Sequence, residues 1–334
     1  MQFGGLLVAE FAFPIYALGQ NLQSAGTPQA TPGFFLIFIV YLFVVSFALI
    51  WLFKRVKGQI LYRLFEAAVI LIATSFLFFL VIGSVVSPAD YTYAALVSAA
   101  LAVGLVIAKN KKQSLRNTAA VLASMGVGLA LGISGFQFAY AFMAIIALYD
   151  YIAVFVTKHM LALAKGALNL NLAFLIGSSE VEIMPKGYFK EKKGEILNRL
   201  KKEGMYKDKI IRDYARAGRF PVVSQIMLGS GDLAVPLMVA VGAYVGFAST
   251  FFGDFVVVGA FAGLIATMVL LKKYMIGLPA IPPLFAFVNI ALGIAYLAKG
   301  MSIVTASEFF AMGILVMAVL LFTLSRIGKE GRSI

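Results

Sequence analysis

Ten runs of apolar residues, each bounded by polar or charged positions, divide this chain along its length. They cover residues 4–19, 33–53, 65–87, 91–108, 118–134, 136–158, 222–248, 254–272, 278–298 and 303–325. A helix needs roughly 20 apolar residues to cross the hydrocarbon core of a bilayer, and most of these runs meet that length. The pattern predicts an all-α fold, a polytopic bundle of transmembrane helices. The first run is the weakest, being short and interrupted by Glu10 and Pro14. Its residues, MQFGGLLVAEFAFPIYALG, carry no positive charge, so it reads as a retained helix rather than a signal peptide. The runs fall into three parts: a six-span part over 1–158, a polar stretch over 159–219, and a four-span part over 220–334.

The polar stretch begins with MLALAKGALNLNLAFLIG and continues into a lysine-rich segment. There Ile196, Leu197, Leu200, Met205, Ile210 and Ile211 recur at loosely helical spacing. Two readings stand side by side: a helix lying on an anionic membrane surface, and a solvated linker. Glycines recur four apart at Gly128 and Gly132, Gly242 and Gly246, and Gly259 and Gly263. Such pairs let helices approach closely in lipid, and ordinary packing within one chain is the expected use.

Composition agrees with the pattern: 62% of the 334 residues are hydrophobic and 13% are charged. That excludes a soluble domain with a wetted surface. A net charge of +13 would suit a nucleic-acid binder, but the positions of the charges exclude that reading. All but one of the 28 lysines and arginines lie in the 54–63 and 109–116 connections, the 158–219 stretch, Lys272 and Lys273, or the tail, with Lys299 the exception. Those five segments share one side if ten spans alternate, as the positive-inside rule requires. Both termini and the 159–219 loop are therefore expected in the cytoplasm, with the cell membrane as the location. There is no cysteine and only one histidine, His159. Thiolate chemistry is excluded, and neither a metal site nor any cofactor is expected.

Most of the 15 acids sit at loops or span edges, including Glu66, Asp90, Asp254 and Glu308. Glu10, Asp150 and Asp232 lie within runs. A charged carboxylate at mid-bilayer costs about 2.5 to 3.5 kcal/mol, a cost that calls for a function. Taking 1.5 Å per helical residue, Asp150 lies about 12 Å from Lys158, and Asp232 about 18 Å along the helix from Phe220. Both estimates place the pair in the same half of the bilayer. Glu10 has no such counterpart and reads as a packed carboxyl. Around Asp232 the sequence is MLGSGDLAVPL, where Gly229 and Gly231 tolerate unusual backbone angles and close approach. Tyr149 precedes Asp150 and offers a hydroxyl to a carboxyl or a bound peptide. In GLPAIPPL, Pro279, Pro282 and Pro283 remove N–H donors at the start of a span. Irregular backbone at membrane depth is tolerated only inside protein or along a wet cavity. Two close carboxyls that share a proton can act as base toward water and acid toward a carbonyl, and their titration belongs to the pair.

These residues resemble the GxGD intramembrane aspartyl proteases: presenilins, signal peptide peptidases and their archaeal homologues. The YD motif is matched by Tyr149 and Asp150 in LYDYIAVF, and GxGD by Gly229, Ser230, Gly231 and Asp232. The following LAVP is closer to the signal peptide peptidase style, whereas TKHM after the YD helix is similar to archaeal presenilin homologues. The PAL motif is matched by Pro279, Ala280 and Ile281, with isoleucine in place of leucine. The resemblance implies a nine-helix presenilin-like fold, to which residues 303–325 add a tenth span. It implies an endopeptidase in which Asp150 and Asp232 hydrolyse peptide bonds within transmembrane segments, without metal or cofactor. The substrate would be a transmembrane peptide or membrane protein, extended beside Pro279–Ile281 and the chain before Asp232. The compact chain favours action without partner subunits.

The rival expectation is a proton- or ion-coupled transporter or channel, which also uses intramembrane carboxylates and broken helices. Inverted repeats, expected there, are not evident. A non-catalytic scaffold is the third reading.

Overall fold

A computed structural model describes residues 59–87, 90–111, 113–157, 175–184, 220–274 and 278–330, and five helical positions at 37, 40, 44, 48 and 51. Those five lie within the second expected span. The first span with Glu10, His159, and the choice between surface helix and linker in the 159–219 stretch all lie outside the described residues. Eight described helices are long and apolar enough to cross a membrane. They are α1 (Gln59–Gly83), α2 (Tyr91–Ala108), α3 (Gln113–Gly132), α4 (Phe136–Tyr151), α5 (Ser230–Phe247), α6 (Thr250–Tyr274), α7 (Ile281–Ala298) and α8 (Ile303–Glu330). The polytopic helical bundle is as expected, and α2 coincides with its expected span.

Beside the helical bundle the described residues include two strands, β1 (Leu175–Met184) and β2 (Phe220–Gly229), which pair as a two-stranded sheet. The span expected over 222–248 is therefore shorter, with its helix starting at Ser230. The physical reason is legible in hindsight. Residues 220–229, FPVVSQIMLG, combine an early proline with β-branched Val222, Val223 and Ile226, which favour extended backbone. In β1, SSEVEIM alternates acid and apolar positions with the period of a strand. The chain divides into two compact units, residues 1–175 with 229–334, and residues 176–228. The eight helices belong to the first unit and nearly all of the sheet to the second.

Within the helical unit, α5 packs against α3, α4 and α6, and α7 against α4, α6 and α8. Burial follows position: 72% of the apolar window of α7 is buried, against 17% of that of α2, which faces the surroundings. The main core joins Met143, Met238, Val239, Val256, Leu284 and Val288. A second cluster, Leu77, Leu80, Leu129, Leu237 and Val241, binds α1 and α3 to α5.

Lipid tails are as apolar as leucine, so burial in a membrane brings helices together only through close packing and hydrogen bonds. The three glycine pairs each line a seam of this kind. A Cβ at Gly128 would lie 2.9 Å from the Ala234 carbonyl oxygen, and one at Gly132 2.8 Å from that of Met238, across α3 and α5. Gly242 and Gly246 face Ala139 and Phe136 across α5 and α4. Gly259 and Gly263 face Phe287 and Leu284 across α6 and α7, each at 2.7 Å. All six glycines thus serve packing within one chain.

Candidate active site

Asp150 occupies the last turn of α4, buried with 7% exposure. Beyond it the helix widens into a π-turn, Ile152–Val156, a feature frequent at functional sites. The Asp150 carboxylate accepts a hydrogen bond from the Ile281 N–H at 3.2 Å, with the Ala280 N–H as a second backbone donor.

The donors exist because of the local sequence around α7. Its N-cap is Ala280, so Ile281 is the first helical residue, followed by Pro282 and Pro283. The first N–H groups of any helix lack an internal partner, and prolines there cost nothing because they bring no N–H. The PAIPPL run therefore leaves Ile281 as the remaining early donor, and it is turned to the carboxylate on α4. Asn289, two turns further along α7, accepts from the Tyr140 hydroxyl of α4 at 2.6 Å and donates to the Phe285 carbonyl at 2.8 Å. The YD helix and the PAL-like helix are thus joined by hydrogen bonds at two levels.

Asp232 is partly buried and sits in the first turn of α5, not deep within a helix. The depth estimated from helical rise beyond Phe220 does not apply, because residues 220–229 are extended. Its Oδ2 accepts from the Gly229 N–H at 3.1 Å, the acidic half of a capping box. A Cβ on Gly229 would stand 3.1 Å from that oxygen, so a larger residue would crowd the carboxylate. Gly231 differs: it is exposed, and a Cβ there would meet nothing within 4 Å. The glycine before Asp232 thus borders open space, while the one two positions earlier closes on the acid.

Asp232 lies within electrostatic reach of Asp150. Neither has a cationic partner among the described residues. Of the other residues singled out in sequence, Pro279 and Ile281 are buried and Ala280 is partly so, all beside Asp150, whereas Gly229, Ser230 and Gly231 lead into Asp232. Tyr149 is buried in α4 with 9% exposure.

Three contributors escaped sequence reasoning. Ser124 on α3 donates to the Ser230 carbonyl at 3.0 Å and to the Ala120 carbonyl at 2.8 Å, fixing the start of α5. A serine among small residues gives no distinctive signal. Asn289 was more legible, as the one carboxamide in an otherwise apolar helix. The Tyr151 hydroxyl pairs with Thr323 of α8 at 2.7 Å, a link that no local pattern announces.

Compared with known families, residues 3–301 match the model described as signal-peptide peptidase, presenilin aspartyl protease. No curated protein matches the chain.

Proposed function

The chain belongs to the signal-peptide peptidase, presenilin aspartyl protease family, intramembrane aspartic endopeptidases acting on transmembrane substrates, and from that premise we propose that Asp150 and Asp232 are its catalytic pair. The observation that carries this reading is the placing of the two acids at helix ends within electrostatic reach of each other, Asp150 held by the first N–H of α7 and Asp232 by its own N-cap. Held by backbone donors and facing no cation among the described residues, the pair retains the proton exchange that hydrolysis needs. One carboxylate takes a proton from water, whose oxygen adds to the scissile carbonyl carbon, while the other carboxyl gives its proton to the carbonyl oxygen. The tetrahedral adduct then breaks its C–N bond as the nitrogen is protonated, releasing the two fragments.

The substrate backbone lies along Ser230, Gly231 and Ala280, with Tyr149, Gly229, Pro279 and Ile281 shaping the same cleft. The open space beside Gly231 supports this assignment. Since the amides of Ile281 and Gly229 are engaged by the aspartates, their part is to hold the acids rather than to bind peptide. The 159–219 segment is cytoplasmic, a reading supported by the distribution of basic residues along the spans. The test uses purified full-length protein in liposomes with a transmembrane peptide substrate. The wild type cleaves it, and Asp150→Asn and Asp232→Asn each abolish cleavage. Cleavage that persists in both variants would sink the assignment.

A further inference from the structure

The family match ends at residue 301, and α8 begins two residues later, so this helix is the part of the bundle that the family reading leaves without a role. Its Leu320 and Leu324 are fully buried against Leu270, with Phe155 of the π-turn packed alongside. At the same level Thr323 bonds the Tyr151 hydroxyl, one residue beyond Asp150. Between the π-turn and the end of α8 lies an open groove of about 580 Å³, lined by Tyr151, Phe155, Val156, Phe322, Thr323 and Arg326 among others.

Two properties identify its occupant. Val156 and Phe322 are 67% and 59% exposed on the outside of a membrane bundle, so most of what covers them is hydrocarbon. The end of the groove carries the Arg326 guanidinium, stacked 4.6 Å over the Phe322 ring, beside the hydroxyls of Tyr151 and Thr323. A guanidinium matches phosphate oxygens, while the two hydroxyls are engaged with each other and with the Val319 carbonyl. Helix alternation puts the ends of α6 and α8 on one face, so Lys273 and Arg326 share it, and a basic face concentrates anionic lipid. We infer that this groove binds an anionic phospholipid, with its phosphate at Arg326 and an acyl chain along Phe155, Val156 and Phe322. Bound there, the lipid bridges α8 and the end of α4, tightening the segment that carries Asp150.

Native mass spectrometry of the detergent-solubilised full chain, titrated with phosphatidylglycerol and phosphatidylcholine, reads binding directly. The wild type retains phosphatidylglycerol in preference to phosphatidylcholine. Arg326→Gln lowers that retention about tenfold, the loss of a charge-assisted bond, while Arg326→Lys retains part of it. Lys111→Gln removes an exposed cation after α2 and leaves retention unchanged. Equal retention of the two lipids, or equal loss in the Arg326→Gln and Lys111→Gln proteins, would overturn the proposal in favour of no site or of general surface charge. Displacement of phosphatidylglycerol by a transmembrane peptide substrate would overturn it in favour of a substrate-docking groove. A second readout rests on the protease reading: adding phosphatidylglycerol to phosphatidylcholine liposomes raises wild-type cleavage, and the stimulation ratio falls in Arg326→Gln. A wild type that retains the lipid but cleaves nothing refutes the protease reading and leaves the lipid site standing.

Discussion

Two buried acidic sites in this molecule have been given opposite partners. In the layer formed by α1 to α3, Glu66 pairs with Lys109 at 2.9 Å, both side chains 4% exposed. At the junction of α4, α5 and α7, Asp150 and Asp232 receive backbone N–H donors and no cation among the described residues. A carboxylate paired with a buried lysine is committed to holding helices together, because separating either member strands a charge. A carboxylate oriented by an amide is held in place and still able to take up or release a proton. Burial alone therefore does not mark a functional acid in a membrane; the chemistry of its partner does.

The comparison is most directly broken by exchanging each acid for its amide. Asp150→Asn or Asp232→Asn is expected to lower cleavage of a transmembrane peptide by at least about 100-fold, the contribution of a positioned acid or base, with thermal unfolding in detergent little changed. Glu66→Gln is expected to keep cleavage. If the Glu66 variant abolished cleavage while folding normally, the division between the sites would fail.

Next in size is the ion pair. Lys109→Met leaves Glu66 buried without this lysine and should destabilise the protein by about 3 to 5 kcal/mol. The double variant Glu66→Leu with Lys109→Met should recover most of that loss, as a double-mutant cycle on unfolding midpoints will measure. A double variant no more stable than the worse single one would show that the pair is not acting as a unit.

The geometry of the amide-held site can be sharpened by crowding. Gly263→Ala places a methyl group 2.7 Å from the Leu284 Cα at the start of α7, where only backbone movement relieves it. Overpacking of this kind costs about 1 to 3 kcal/mol. Because the displaced turn carries Ile281, cleavage should fall more than for Gly246→Ala, which crowds the far end of α5 against Phe136. Equal losses in the two variants would mean that the Ile281 contact is not what positions Asp150.

The smallest effect is expected from Tyr140→Phe, which removes the hydrogen bond to Asn289 and should cost about 0.5 to 1.5 kcal/mol. Its value lies in the split of kinetic constants: a loosened α4–α7 pairing lowers kcat, and a change confined to KM would argue for a role in substrate binding instead.

The chain's own letters carried much of this. Eight spans are readable because crossing a bilayer is a local requirement on length and apolarity, met or missed within about 20 residues. Asp150 and Asp232 stood out because an acid inside an apolar run is costly wherever the run folds, and the glycine pairs stood out because their spacing is a helical one. Glu66, by contrast, was grouped with interfacial acids, since nothing near it in sequence reveals Lys109 forty-three positions later.

What only the tertiary structure decided are the matters that depend on partners distant in the chain. The apolar stretch before Asp232 satisfies the length rule for a helix, yet residues 220–229 pair with 175–184 as strands, because apolar, β-branched residues suit a sheet as well as a membrane helix and a distant strand settles the choice. Likewise the prolines of PAIPPL announced a broken helix start, but that the surviving Ile281 amide is aimed at Asp150 follows from the packing of α4 on α7. Local hydrophobicity marked the apolar runs that the eight described helices occupy and where the costly acids lie. Long-range packing determined that Glu66 faces Lys109 and that Asp150 faces the Ile281 amide instead.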